Sequence, residues 1–427
     1  MTSVDIRHGD CLEVLRGLPD SSIDSIVTDP PYGLSNTKPA QVADVLKAWV
    51  AGNTEAVPAK RGGFMGKDWD SFVPPPAVWQ ECLRVLKPGG HMAVFAGSRT
   101  QDLMGLSIRL AGFEVRDTLG WIYGSGFPKS MDISRAIDKA AGAEREVVGK
   151  YGSGISRGAA GVCGQGEGGA ITAPATPEAK QWDGWGTTLK PAIEPIILAR
   201  KPLGGTVAQN VLEHGVGGLN IDACRIGSQV RHNPPVGDLT SIGSSRAEPK
   251  GEGTIVSGRF PANVLLDEHA AAEMDEQSGI SISRAGNRGL QTSGQHGGLA
   301  GDDMNLKPGT DSVRGHSDSG GASRFFPVFK YQAKAPKKER PVIEREDGTK
   351  VQHPTVKPVA LMEWLVELIT PSSGTVLDPF AGTGTTLQAA LNRGFTPIGV
   401  EQDADYIQLI EARLSSNDTD EKEKSHE

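Results

Sequence analysis

The sequence predicts an α/β fold, a mostly parallel twisted sheet with helices on both faces, carrying inserted irregular regions. Three observations predict it. Strand-like and helix-like patterns alternate through the first 125 residues, and the alternation returns from His353 onward. Between Tyr151 and Phe325 lie 32 of the 55 glycines, so few long helices can form there.

In order, "SVDIRHG" reads as a strand with Asp10 at its end, and "CLEVLRGL" as a helix that Asp10 can cap. Ile23 to Asp29 is a short apolar run that stops at "DPPYG". In "AVWQECLRVLK" (77–87), Val78, Cys82, Leu83 and Leu86 share one helical face, and Pro88-Gly89-Gly90 ends the helix. "HMAVFAG" (91–97) is a buried strand, "TQDLMGLSIRLAGF" a helix with Gly112 near its C-cap, and "EVRDTLGWIYG" another strand. Inside the glycine-rich middle, "PIILAR" looks like a strand of the same sheet. Pro358 then opens a helix with the stripe Leu361, Met362, Leu365, Val366 and Ile369. "TVLDPFAG" is a strand and tight turn, "TGTTLQAALNRG" a helix, and "TPIGVE" a strand. The last helix carries Tyr406, Ile407, Ile410 and Leu414, and the polar, acidic residues 415–427 are expected to be disordered.

A chain of 427 residues has room for one large α/β domain and a second module. The net charge of −8 does not announce a nucleic-acid binder, but base and acid are partly segregated. Residues 324–350 hold eight Lys/Arg against four Asp/Glu, whereas the tail is acidic. The cysteines at 11, 82, 163 and 224 are far apart, without CxxC pairs, so neither a disulfide framework nor a metal site is expected. A reducing cytoplasm fits them best. No signal peptide or bilayer-length apolar run is visible, so no membrane partner is expected.

The segment "LDPFAGTGTT" (377–386) leaves a strand and opens a helix. Gly382 and Gly384 let the backbone turn sharply and approach a ligand, and the helix start offers unpaired N–H groups. Taken alone, such a turn is equally well a plain tight turn. Glu401, however, ends the next strand 19 residues after Gly382, where dinucleotide folds place an acid on ribose hydroxyls. The third glycine of GxGxxG and a phosphate lysine are both missing. NAD and ATP therefore fit poorly, and a nucleoside cofactor without a pyrophosphate, S-adenosyl-L-methionine, fits better.

With "TDPPYG" preceding "DPFAGTG" in one chain, the sequence resembles the amino-directed DNA methyltransferases that modify adenine N6 or cytosine N4, in their permuted β class. The resemblance extends to "GDCLEVLRGLPDSSIDSIVTDPPYG", "RVLKPGG" and "HPTVKP", and phage-type members look similar around "GWIYGSGFPKS" and "KPAIEPIILARKP". It implies a Rossmann-like, circularly permuted, S-adenosyl-L-methionine-dependent fold. Residues 1–127 would be its catalytic half, 189–202 a sheet strand and 326–414 the cofactor half. Residues 203–325 would be a target-recognition region, and the Gly-rich insertion 128–188 has no assigned role.

The resemblance also implies roles. Asp29 and the carbonyl of Pro30 would accept hydrogen bonds from the exocyclic amino group, and Pro31 would restrict Pro30 in turn. Tyr32 would stack on a base swung out of the duplex. Neither a metal nor a covalent enzyme intermediate is needed. Asp10 and Cys11, Asp378 to Thr385 (Asp378, Pro379, Phe380, Ala381, Gly382, Thr383, Gly384, Thr385) and Glu401 would line the cofactor. Thr355 and Lys357 would hold its methionine carboxylate. Asp before "PPY" leans toward adenine N6, with cytosine N4 as the alternative. The related protein-amide enzymes carry Asn at that position.

Double-stranded DNA is the expected partner; homodimerisation and a companion restriction enzyme are left open. The basic stretch 329–340 could meet phosphates or be a solvated face, and Arg225, Arg231, Arg259 and Arg284 could read guanine edges. Residues 33–72 are too long for a simple connection and read as a mobile flap over the base.

Overall fold

The computed structural model describes residues 4–35, 37–58, 70–124, 126, 130–150, 170–233, 254–283, 286–287, 313–314, 318–330, 341–345, 347–353 and 355–424. Most of the basic stretch (331–340), Arg284, and residues 59–69 of the expected flap lie outside them. Two compact units form, Met1–Ile122 with Glu194–Glu427, and Tyr123–Ile193.

The larger unit begins β1 (Asp5–His8), α1 (Cys11–Arg16), β2 (Ile23–Thr28), α2 (Pro39–Val50), α3 (Pro76–Val85), β3 (Leu86–Phe95), α4 (Gln101–Leu110) and β4 (Glu114–Ile122). It resumes with β5 (Ile193–Arg200), α5 (Val207–His214), β6 (Val264–Asp267), α6 (Glu268–Ser278) and β7 (Val328–Phe329). It closes with α7 (Val359–Ile369), β8 (Thr375–Asp378), α8 (Thr385–Asn392), β9 (Thr396–Glu401) and α9 (Ala404–Lys424). These nine strands form one sheet in the order β1-β9-β8-β2-β3-β5-β4-β6-β7. The pairings from β1 through β9, β8 and β2 to β3 are parallel, and β5 runs antiparallel to β3. The α/β fold with a mostly parallel sheet is therefore as expected.

Every residue of β2 is buried, as a central strand covered on both faces requires. Its polar residues are consequently all paired, and each reaches the C-terminal part of the chain. Asp24 accepts from Lys87 Nζ (2.6 Å) and from the Thr375 amide (2.7 Å). Ser25 and Thr370 share a hydrogen bond of 2.7 Å, and Thr28 donates to Asp378 at 2.6 Å. Around them Ile23, Ile26, Trp79, Leu86, Met92 and Leu377 make a continuous core.

Four expectations change. Residues 39–50, inside the expected flap, are a packed helix: Pro39 opens α2, and Val45 and Trp49 enter the core. Within 203–325, β6 is a strand of the main sheet, parallel to β4 and β7. That region is therefore built partly from the catalytic fold; the hairpin of Ile226–Asn233 with Thr254–Arg259 stands outside the sheet. Helix α3 stops at Val85, because Leu86 already takes the extended backbone of β3. Finally, α9 continues to Lys424 through the tail expected to be disordered.

The smaller unit has helices Ile133–Ala140 and Pro177–Gln181 and paired strands Val147–Lys150 and Ala170–Thr172. Asp138, buried, accepts from Arg145 (2.7 Å) and from the amides of Ala175 and Thr176 (both 3.0 Å). Among the described residues, no helix is long and apolar enough to cross a membrane.

Candidate active site

Parallel pairing sets the site. His8 lies opposite Glu401, Asp378 opposite Gly399, and Leu377 opposite Ile26. The carboxyl ends of β1, β9, β8 and β2 therefore stand side by side on one edge of the sheet, where open α/β sheets bind ligands. Within two residues past those ends lie Asp10, Gln402, Pro379 and Asp29. Four segments assigned from sequence thus come to one edge of the sheet, where a crevice would form.

On the β8 side, Gly382 has φ +54° and Gly384 φ +74°, the left-handed region that favours glycine. The Gly382 amide donates to Glu401 Oε2 (2.8 Å), and the Asp403 amide to Glu401 Oε1 (2.9 Å). Burial pushes the Glu401 carboxyl up to about 7, against the lowering effect of these amides. A carboxylate with each oxygen holding one amide still has lone pairs for two adjacent hydroxyls. A Cβ at Gly382 would meet the His353 ring, Nε2 nearest at 3.6 Å, an ordinary contact. An acid at a strand end, a left-handed glycine turn and a helix start together fit the nucleoside part of S-adenosyl-L-methionine.

The neighbouring residues divide. Asp10 caps α1, its Oδ1 accepting from Leu12 (2.9 Å) and Glu13 (3.3 Å), and Gly9 donates to the Glu401 carbonyl (3.0 Å). Cys11 follows at the first turn, its thiol pushed up to about 12 by burial. Phe380 is half-buried and packs on Trp79, ring centroids 6.2 Å apart. Pro379, Ala381, Thr383 and Thr385 are buried; Arg413 pins the turn by donating to the Thr383 carbonyl (2.7 Å). Asp378 accepts from Thr28 and from the Phe380 amide (3.1 Å). Burial raises its carboxyl to about 6. It braces the crevice from below.

On the β2 side, Tyr32 OH donates to Asp29 Oδ1 (2.7 Å), and Lys357 Nζ donates to Asp29 Oδ2 (2.7 Å). Lys357 also reaches Tyr32 OH (3.0 Å) and Glu194 Oε2 (3.2 Å), with only 11% of its side chain exposed. Lys357, expected from sequence to hold the methionine carboxylate, has its ammonium on the Asp29 carboxylate. Burial pulls that ammonium down, but Asp29 and Glu194 outweigh it and raise it above the ordinary lysine value. Burial, then Asp29 and Glu194, likewise raise the Tyr32 phenol, which stays a donor. Thr355 remains exposed, its carbonyl against His353 Nδ1.

Pro30 is buried. Beyond Pro31, Thr100 Oγ1 donates to the Tyr32 carbonyl (2.6 Å), and the Gly33 amide to Asp70 (2.8 Å). Sequence reasoning did not single out Glu194, Thr100 or Asp70. For Glu194 a signal existed: it precedes Pro195 at the start of an antiparallel strand, whose amino end lies on the edge where its parallel neighbours end. Of the candidate guanine readers, Arg225 pairs with Asp222 (2.7 Å), and Arg259 with Asp318 (2.7 Å) above the Phe325 ring. Arg231 lies in the hairpin strand. Among the described residues, no group of His, Cys, Asp or Glu could hold a metal ion.

The N6/N4 family model described as DNA methylase matches residues 23–145 and 300–412, more than half of the chain. The chain belongs to the DNA methylase family. Both sides of the crevice, Asp29 and Gly382, fall inside the match, and the methyl donor of this family is S-adenosyl-L-methionine. The chain is similar to the type II methyltransferase M.ScaI of Streptomyces caespitosus, 34% identical over 73 residues, covering 17% of this chain and 24% of that protein. It is also similar to M.HindIII of Haemophilus influenzae, 23% identical over 96% of this chain and 94% of that one. The match to M.ScaI thus spans about a quarter of that relative. Among solved structures, the cytosine-N4-specific PvuII DNA methyltransferase is 14% identical with a TM-score of 0.42, covering 97% of this chain and 87% of that one.

Proposed function

We propose that this DNA methylase transfers a methyl group from S-adenosyl-L-methionine to the N6 amino group of an adenine swung out of double-stranded DNA. One observation carries the reading. The Asp29 corner and the Gly382–Glu401 cradle stand on neighbouring strand ends, tied at their base by the hydrogen bond from Thr28 to Asp378. Adenine is preferred because Asp29 precedes Pro30, Pro31 and Tyr32, the arrangement that leans toward N6 in the family the chain resembles.

The bound cofactor supplies an electrophilic methyl on a sulfonium. The protein's share is to hold the amino group in line and make its nitrogen a better nucleophile. Asp29 and the Pro30 carbonyl accept from the two amino N–H groups, which favours a pyramidal nitrogen. Two prolines in succession limit where that carbonyl can point. Thr100 and Asp70 hold the backbone around Tyr32 and Gly33, so the corner keeps its shape without a ligand. Glu401 and the Gly382 turn hold the nucleoside end. Asp29, already on the amino group, is the acceptor nearest the proton the nitrogen must lose.

The test is mass spectrometry of nucleosides from duplex DNA incubated with the protein and the cofactor. N6-methyladenine is the expected product, and Asp29→Ala should abolish it while leaving cofactor affinity largely unchanged. N4-methylcytosine would reassign the base. Absence of both, on DNA of varied sequence, would overturn the reading.

A further inference from the structure

Both oxygens of Asp29 already accept from a donor. Tyr32 OH holds Oδ1 at 2.7 Å and Lys357 Nζ holds Oδ2 at 2.7 Å. An ammonium held on the carboxylate offsets its charge and weakens it as an acceptor for a substrate amino group, so the corner serves best when that donor draws back. A buried ammonium that releases its only carboxylate is left without compensation, which is strongly unfavourable. Lys357 is not in that position. Glu194 Oε2 lies 3.2 Å from Lys357 Nζ and 3.3 Å from Tyr32 OH. The same two donors thus face two carboxylates, and both lie nearer to Asp29.

We propose that Glu194 is a positioning residue, the alternative acceptor that keeps Lys357 and Tyr32 partnered while Asp29 turns to the substrate amino group. The assignment rests on the methyl-transfer reading above.

The fold holds Glu194 in place for this. Its strand, β5, runs antiparallel to β3, with Ile196 opposite Phe95, and the Ala96 amide donates to the Pro195 carbonyl (2.9 Å). Pro195 restricts the backbone of Glu194 to extended conformations, so the carboxylate starts from a fixed position. Lys357 sits against the rings of Phe95 (4.8 Å to the centroid) and Tyr32 (5.3 Å). A move from one carboxylate to the other is thus a shift along an aromatic floor, with no passage into water. Two carboxylates around one ammonium leave one negative charge over, which the amino group of the base can address. With a single carboxylate, Lys357 would compete with the substrate for Asp29.

Single-turnover methylation separates this role from a structural one. Glu194→Gln keeps the shape but removes the second anion, which confines Lys357 to Asp29. The expected result is a rate lower by about tenfold to a hundredfold, the worth of a charged hydrogen bond. Cofactor affinity and melting temperature should change little. The double variant Glu194→Gln/Lys357→Met should be faster than Glu194→Gln alone, because the competitor is gone. A packing role would make the double variant slower still.

Wild-type rate in Glu194→Gln, or a double variant slower than the single, would overturn the proposal while methyl transfer by the wild type stands. A wild type that methylates no DNA would instead remove the functional reading beneath it.

Discussion

The two glycines of the cofactor turn should fail in opposite ways when each receives one methyl group. Both have positive φ, so alanine at either position costs about 1–2 kcal/mol in backbone strain. Their surroundings differ. A Cβ at Gly384 would lie 2.9 Å from Ile410 Cγ2 and 3.2 Å from Ile410 Cγ1, inside the packing of α9. Overpacking of that kind adds about 1–3 kcal/mol. At Gly382 the nearest atom is His353 Nε2 at 3.6 Å, an ordinary contact, so strain is the whole cost to the fold. Gly384→Ala should therefore lose roughly 2–5 kcal/mol of stability and Gly382→Ala only about 1–2. Cofactor affinity should run the other way, because Gly382 donates its amide to Glu401 in the turn assigned to the ligand, whereas Gly384 packs on α9. Urea unfolding of the unliganded variants gives the first comparison, and calorimetric titration with S-adenosyl-L-methionine gives the second. Equal midpoints for the two variants would refute the packing argument. Wild-type affinity in Gly382→Ala would refute the placement of the ligand.

Two other changes test the charges of the crevice. Lys357→Met leaves Asp29 and Glu194 together without their cation, and should cost about 3–5 kcal/mol at pH 8. A melting temperature equal to that of the wild type in thermal unfolding would contradict the pairing. Glu401, raised from 4.5 to about 7, binds its proton more tightly in the folded than in the unfolded chain. Its contribution to stability is full below pH 4.5 and is lost as pH rises through 7, to the extent of about 3 kcal/mol. Asp378, raised to about 6, acts in the same direction, so Glu401→Gln should reduce the fall in urea midpoint between pH 5 and 8 without abolishing it. A fall as steep as that of the wild type would show that Glu401 does not titrate there.

Much of this arrangement could be read before any coordinates. The apolar run ending at Asp29, the strand ending at Asp378 and the acid at Glu401 are local patterns, and parallel pairing alone brings such ends to one edge. What escaped depends on pairing distant in sequence. Lys357 and Asp29 lie 328 positions apart, and nothing near "HPTVKP" says which carboxylate its ammonium will find. β6 is only four residues long, "VLLD", inside a glycine-rich region whose composition hides it. In α2 the helical pattern was present, since Val42, Val45, Leu46 and Trp49 follow the period of one face after Pro39. Reading 33–72 as one loop concealed it.

The position of β2 in the sheet affects the birth of the molecule. One neighbour, β3, follows within the N-terminal hundred residues; the other, β8, is translated some 350 residues later. During synthesis one edge of this wholly buried strand waits uncovered while the intervening regions emerge, and such edges invite pairing with other chains. A ribosome stalled before Thr375 would release a polypeptide with its central seam open. Folding of the catalytic core is therefore a late event in translation, and the nascent chain is a natural client for chaperones.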